Sequence, residues 1–212
     1  MDFEELKDNF EDAQQFYFAD YERGEHDARF LHGEQWDEED KAKRQNEGRP
    51  CLTENRLLPS VDSVINNIRE SRPSIKVSPV DSEADVEVAD VYQGIIRNIE
   101  RVSGADNVYD TAAENAIERG YGWVRVCIEY SDYDSFEQEV KLKRIRNPRS
   151  VLIDPNYEEM DASDAEYVYV FEDLEESDFK DKYPDADLQS LEVKGTTWQY
   201  EQQGKKYVRV AE

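Results

Sequence analysis

At Gly120-Tyr121-Gly122 the hydrophobic period of this chain changes. Before that point apolar residues recur every three or four positions. After it they alternate with polar ones. The first pattern builds amphipathic helices and the second builds half-buried strands, and neither can stand in for the other. The chain is therefore expected to be α+β, with N-terminal helices followed by antiparallel β-hairpins. Three regions follow from the patterning: 1–50, an N-terminal helix and polar connector; 51–122, helical; and 123–212, β-rich and incomplete at its C-terminal end.

Four long helices are predicted. Phe3, Leu6, Phe10, Ala13 and Tyr17 mark the first, over 3–23, with Gly24 as its stop. Leu58, Val61, Ile65 and Ile68 mark a second over 54–72; Pro59 suits its first turn, and Arg72-Pro73 ends it. The third, 84–102, carries Val88, Val91, Tyr92, Ile95, Ile99 and Val102 on one face. Ser82 and Asp85 form a capping-box-like start, and Gly104 supplies the left-handed residue at its end. The fourth starts near Asp106 with Val108, Ala112, Ala116 and Ile117, and closes at Gly120. A short helix over 38–45 sits in the polar connector, where Phe30, Leu31 and Trp36 are the sizeable anchors. Phe30 and Trp36 are expected to hold the first helix to the body, and Arg49-Pro50 and Arg72-Pro73 to bracket the second as hinges.

Beyond the switch, Val124, Val126, Ile128 and Tyr130 point one way from a strand, and Arg125, Cys127 and Glu129 the other. A turn over 131–135 leads to a second arm with Phe136, Val140 and Leu142. Val151-Leu152-Ile153, the strand 166–171, a short helix 177–182 stopped by Pro184, and a last hairpin (197–201 and 206–210, around Gln203-Gly204) complete the pattern. The final strand is followed by two residues, so it is expected to continue into missing chain.

Composition narrows the function. With 51 acids against 26 bases, the net charge of -25 repels nucleic acid and anionic membranes at long range. High charge with a mean hydropathy of -0.93 favours disorder, but thirteen tyrosines and eight phenylalanines supply enough apolar surface for a core. The acidic start lacks the apolar stretch of a signal peptide, and no window reaches 18 apolar residues. Cys51 and Cys127 lack metal-site or redox spacing and read as reduced, partly buried thiols.

No catalytic, cofactor-binding or metal-binding constellation emerges. His26 and His32 lie in polar surroundings, and nucleophile elbow, P-loop and zinc-protease motifs are missing. Acids crowd 154–192, but the run from Asp154 through Asn156, Glu158, Asp161 and Asp164 fails the EF-hand pattern. Its sixth and twelfth positions are Glu159 and Ala165 instead of glycine and glutamate. The basic run Lys141, Lys143, Arg144, Arg146 and Arg149 could meet phosphate. A solvated strand face, or a contact with the acidic surface of another copy, fits it better. Gly120 and Gly122 are assigned geometry: a left-handed cap, then a close backbone approach.

An ordered set of segments carries a resemblance. It comprises Phe30-Leu31-His32-Gly33-Glu34-Gln35-Trp36, Gly48-Arg49-Pro50-Cys51-Leu52-Thr53-Glu54-Asn55, and the helix into Ser71-Arg72-Pro73. Next come Ile95-Ile96-Arg97-Asn98-Ile99-Glu100, Ala116 through Gly120-Tyr121-Gly122-Trp123, Arg146-Asn147-Pro148 and Asp154-Pro155. Across about 12–185 the chain resembles the N-terminal part of portal (head-to-tail connector) proteins of tailed bacteriophages, long-chain podovirus type. The resemblance implies a virion structural protein without catalytic residues, assembled in the host cytoplasm. It implies a homo-oligomeric ring of about twelve subunits, with this chain in its wing-like body. Phage DNA would be packaged and ejected through the ring without sequence-specific contacts. Capsid and scaffolding proteins would be further partners, and terminase and tail adaptor proteins would bind regions missing here. Membranes would not be involved. The alternative is an acidic DNA mimic that inhibits a DNA-binding enzyme, which would array its carboxylates in two regular helical stripes. A metal-dependent nuclease using Asp154 and Asp161 is a third class.

Overall fold

A computed structural model describes residues 3–71, 74–79, 86–132, 134–186, 199–202 and 204–212. The elements run α1 (Phe3–Leu31), α2 (Glu38–Asn46), α3 (Leu58–Glu70), α4 (Val86–Ser103), α5 (Ala105–Arg119), β1 (Val124–Tyr130), β2 (Gln138–Arg144), β3 (Val151–Ile153), β4 (Val168–Glu175), α6 (Glu176–Lys182), β5 (Gln199–Gln202) and β6 (Lys205–Ala211). This is the α+β order that the change of period predicts. The chain forms two compact units. A helical unit comprises Glu22–Pro148, and a sheet unit comprises Met1–Tyr21 with Arg149–Glu212. The expected Ser82–Asp85 cap, the Arg72-Pro73 stop and Gln203 of the last turn lie outside the described residues.

In the sheet unit four strands pair antiparallel in the order β3-β4-β6-β5. The N-terminal part of α1 supplies Phe10 and Ala13, both almost fully buried, with Tyr17 and Tyr21 in the same stripe. Phe10 meets Tyr169 and Phe171 edge-on, with centroids 5.5 and 5.7 Å away, a favoured aromatic geometry. Tyrosine hydroxyls take part as well: Tyr169 donates to the Leu6 carbonyl (2.9 Å) and Tyr21 to that of Val151 (2.5 Å). The core closes with Leu152, Phe179 and Val208. β6 lies inside the sheet between β4 and β5, and Glu212 and Val170 exchange backbone hydrogen bonds of 3.0 Å. β4 also outruns its predicted end at 171, because its acids find bases on β6. Asp173 accepts two bonds from Arg209 (2.8 and 3.0 Å), and Glu175 pairs with Lys205.

In the helical unit, α1 does not stop at Gly24 but continues seven residues to Leu31. Gly24 is there for proximity: a Cβ on it would lie 2.5 Å from the Arg119 carbonyl oxygen at the end of α5. Gly24, Ala28 and Leu31 are buried in turn, so small residues let the helix lie close. Three helical segments match their predicted positions within a few residues. Pro59 sits in the first turn of α3, and Gly104 (φ 60°) and Gly120 (φ 89°) adopt the left-handed conformation at the helix ends. At Gly122 a Cβ would fall 1.8 Å from the Ala112 carbonyl oxygen, so the close backbone approach expected there is present.

Two apolar faces are turned outward. On α4 the residues turned inward are Ala89, Gln93, Ile96, Ile99, Glu100 and Ser103, while Val88, Val91, Tyr92, Ile95 and Val102 are exposed. The buried stripe is displaced by one residue from the most apolar stripe, which is about 100° of rotation. On the β1–β2 hairpin, the apolar face bearing Val126, Ile128, Tyr130 and Val140 is the open one, and Arg125, Cys127 and Glu129 are the half-buried set. Phe136 precedes β2 and is almost wholly exposed.

Candidate functional site

The acidic loop after β3 is built by its own carboxylates. Asp154 is 3% exposed. Its Oδ1 accepts from the backbone N–H (2.9 Å) and side-chain amide (3.0 Å) of Asn156, and its Oδ2 accepts from the Glu166 N–H at 3.2 Å. Asp164 accepts from the N–H groups of Glu158 (2.7 Å) and Glu159 (3.2 Å), and Asp161 from that of Ser163 (3.2 Å). The bonds to Asp164 and Asp161 favour their ionised forms. The Glu158 N–H holds the Asp164 carboxyl below its ordinary range, and Ser163 does the same for Asp161. Asp and Asn side chains closing local turns is ordinary loop chemistry. Among the described residues no three metal-ligating side chains converge. The hydrogen bonds of Asp154, Asp161 and Asp164 shape this loop.

The basic run divides. Lys143 pairs with Glu129 across the hairpin and holds that carboxyl below its usual range. Lys141 shares this face, as the alternation predicts, while Arg144 stands on the opposite, apolar face beside Val124. Arg144 and Arg146 are exposed, and Arg149 belongs to the sheet unit. The hairpin exit is fastened to α5 and to the glycine turn: Asn115, buried, donates to the Arg146 carbonyl (3.3 Å), and Trp123 donates to that of Pro148 (3.1 Å). The Gly120-Tyr121-Gly122 turn thus serves geometry.

The connector after α1 is held by two polar pins. Trp36 donates its indole N–H to the Leu52 carbonyl (3.2 Å), under the Arg44 guanidinium 4.7 Å from the ring centroid. Asn55 donates to the Leu31 carbonyl at the end of α1 (2.5 Å) and accepts from the N–H groups of Leu57 (3.2 Å) and Leu58 (3.1 Å) at the start of α3. Trp36 anchors the connector, with its partners Leu52 and Arg44 both inside it. Phe30 is not an anchor: it is exposed, and Ala28 and Leu31 of the same helix are buried in its place. The position of Asn55 just ahead of α3 is the sequence signal for this turn-closing role. His32 lies 3.5 Å from Glu118 and His26 the same distance from Asp27, both exposed. Cys51 is exposed rather than partly buried, and Cys127 is half-buried. No described helix is long and apolar enough to cross a membrane.

Residues 7–212 match the family model described as "Phage P22-like portal protein". The chain belongs to the P22-like portal protein family. Among curated proteins, the portal protein of Acyrthosiphon pisum secondary endosymbiont phage 1 is 24% identical over 156 residues. That alignment takes in 72% of this chain and 22% of the relative, so this portal-family chain spans about a fifth of the length of the curated protein it matches. The family is a structural one. It gives no support to the DNA-mimic alternative.

Proposed function

We propose that this chain forms part of the body of a phage portal subunit, in a ring through which genomic DNA is packaged and ejected. The observation that carries the reading is the family match over residues 7–212. The charge of -25 fits it physically: lysine and arginine contacts to phosphate are what hold DNA non-specifically, and an acidic body lets DNA pass without adhering. A ring of about twelve copies, placement in the virion, assembly in the host cytoplasm, and contacts with capsid, scaffolding, terminase and tail adaptor proteins belong to the same proposal. The last two partners would be met by parts of a portal protein other than this one. The chain's role is architectural, without catalysis of its own.

The test is the native mass and negative-stain image of the protein, expressed with whatever sequence follows residue 212 in its gene. A closed ring near twelve copies is expected. A stable monomer at high concentration would overturn the reading.

A further inference from the structure

β1 carries an open backbone edge. Its sheet has two strands, so β2 lines it on one side only. The register tells which backbone groups face the other side. The Ser103 hydroxyl accepts from the Leu142 N–H (3.0 Å), so the backbone of Leu142 points away from β1, and that of its partner Val126 points away from β2. At the turn, Ser131 donates to the Glu137 carbonyl (2.8 Å), which sets the odd-numbered residues of β1 in the hydrogen-bonded pairs. The N–H and C=O groups of Val124, Val126, Ile128 and Tyr130 therefore face outward, and among the described residues they have no partner. Such an edge is a template for another strand, and proteins commonly blunt it with proline, lysine or a bulge. β1 has none of these, and the side chains of Val126 (65%) and Ile128 (67%) beside the edge are exposed.

The sequence of β1 selects the occupant. An antiparallel copy of β1 can lie against this edge with outward groups opposite outward groups, and the register centred on Cys127 uses all seven residues. About the two-fold axis, Val126 meets Ile128, Val124 meets Tyr130, and Arg125 meets Glu129, each twice. The first two pairs continue the apolar face, and the third sets opposite charges together on the other face; both kinds of cross-strand pair stabilise a sheet. Glu129 would lie between Lys143 of its own hairpin and Arg125 of the second copy. A shift of two residues in either direction shortens the overlap and separates Arg125 from Glu129.

We propose that β1 of one copy pairs antiparallel with β1 of a second copy, joining their hairpins into one four-stranded sheet in the order β2-β1-β1-β2. Contacts repeated round a ring are head-to-tail, whereas this one is two-fold, so it goes beyond the ring reading and does not rest on it.

The test is sedimentation of the 212-residue chain across micromolar concentrations, in salt of about 0.15 M, where repulsion between acidic copies reaches only about 8 Å. A dimer is expected. Val126→Pro removes an outward N–H and leaves the β1–β2 hydrogen bonds in place, so it should abolish the dimer with circular dichroism unchanged. Arg125→Glu and Glu129→Arg should each weaken the dimer at least about tenfold, and their mixture should restore it, since every charge then meets its opposite. A covalent readout is independent of these. The two Cys127 residues would form a non-hydrogen-bonded pair with Cα atoms about 4.5 Å apart, within disulfide range. In a Cys51→Ser background, diamide takes up two electrons and two protons as the two thiols join, and should give a crosslinked dimer that Val126→Pro abolishes. A wild type that stays monomeric and does not crosslink overturns the contact. A dimer insensitive to Val126→Pro and to both charge variants also overturns it, by placing association elsewhere. A mixture that fails to recover overturns the register centred on Cys127. None of these readouts depends on whether the longer protein forms a ring.

Discussion

Three glycines in different surroundings separate conformational from steric demands. Gly94, within α4, has open space where a Cβ would go, so Gly94→Ala should raise stability by about 1 kcal/mol through helix propensity alone. Gly24 gains the same propensity on mutation, but its Cβ would meet the Arg119 carbonyl oxygen at 2.5 Å. Overpacking against backbone costs about 1–3 kcal/mol, so Gly24→Ala should be destabilising on balance. Gly122→Ala, which would place its Cβ 1.8 Å from the Ala112 carbonyl oxygen, should cost about 3 kcal/mol or more. Urea denaturation of the three variants checks the order, and a stabilising Gly24→Ala would show that α1 and α5 separate without penalty. Tyr169 offers a pH test. Burial raises the pKa of its hydroxyl, and burial does the same to Tyr167. A folded-state pKa above the unfolded value of about 10 means stability that is complete below about pH 10 and lost as pH rises through the folded value. The denaturation midpoint should therefore fall as pH rises above about 10, and fall less steeply in Tyr169→Phe.

Elements are joined here by single polar side chains. Asn55 ties the end of α1 to the start of α3 with three hydrogen bonds. Asn55→Ala should cost about 2–3 kcal/mol, and Asn55→Asp, which keeps the acceptor oxygen for the two N–H groups, about half of that. Equal losses in thermal melts would place the whole effect on the bond to Leu31. The first unit's sheet shows the same economy: Arg209 lies over Phe171 (4.6 Å to the ring centroid) while bonding Asp173, so one side chain fastens β6 to β4 twice. A period search finds elements from apolar spacing, and it therefore cut β4 short where Glu172, Asp173 and Glu175 begin. Those acids are stable in a strand because Asp173 and Glu175 pair with Arg209 and Lys205 of β6, and Glu172 with Lys182 of α6. α1 was cut short for the opposite reason: a glycine usually ends a helix, and only a neighbouring backbone explains one in its middle.

Over the whole molecule, 51 acids in 212 residues repel one another. Salt shortens the reach of that repulsion from about 30 Å at 0.01 M to about 10 Å at 0.1 M. The melting temperature should rise with added sodium chloride over this range, by roughly 3 °C for each kcal/mol of repulsion screened. An unchanged or falling melting temperature would mean that ion pairs such as Arg209–Asp173 outweigh the repulsion. The same charge gives physical sense to a body past which DNA moves.

By itself the sequence determined the fold class, the positions of the helices, the hairpin register's alternation, and the roles of Gly104, Gly120 and Gly122. Each of these is encoded within a few neighbouring residues by period or backbone conformation. It also carried the family, through an ordered series of short segments. Tertiary structure alone decided which segments share a core, that β6 lies inside its sheet, and that Asp154 organises a loop. It also decided which way α4 and the hairpin face. Periodicity reveals that a helix or strand has an apolar side. Whether that side meets the chain's own core or remains open depends on bonds between residues distant in sequence, here Gln93 with Ile75 and Val77, and Ser103 with Leu142.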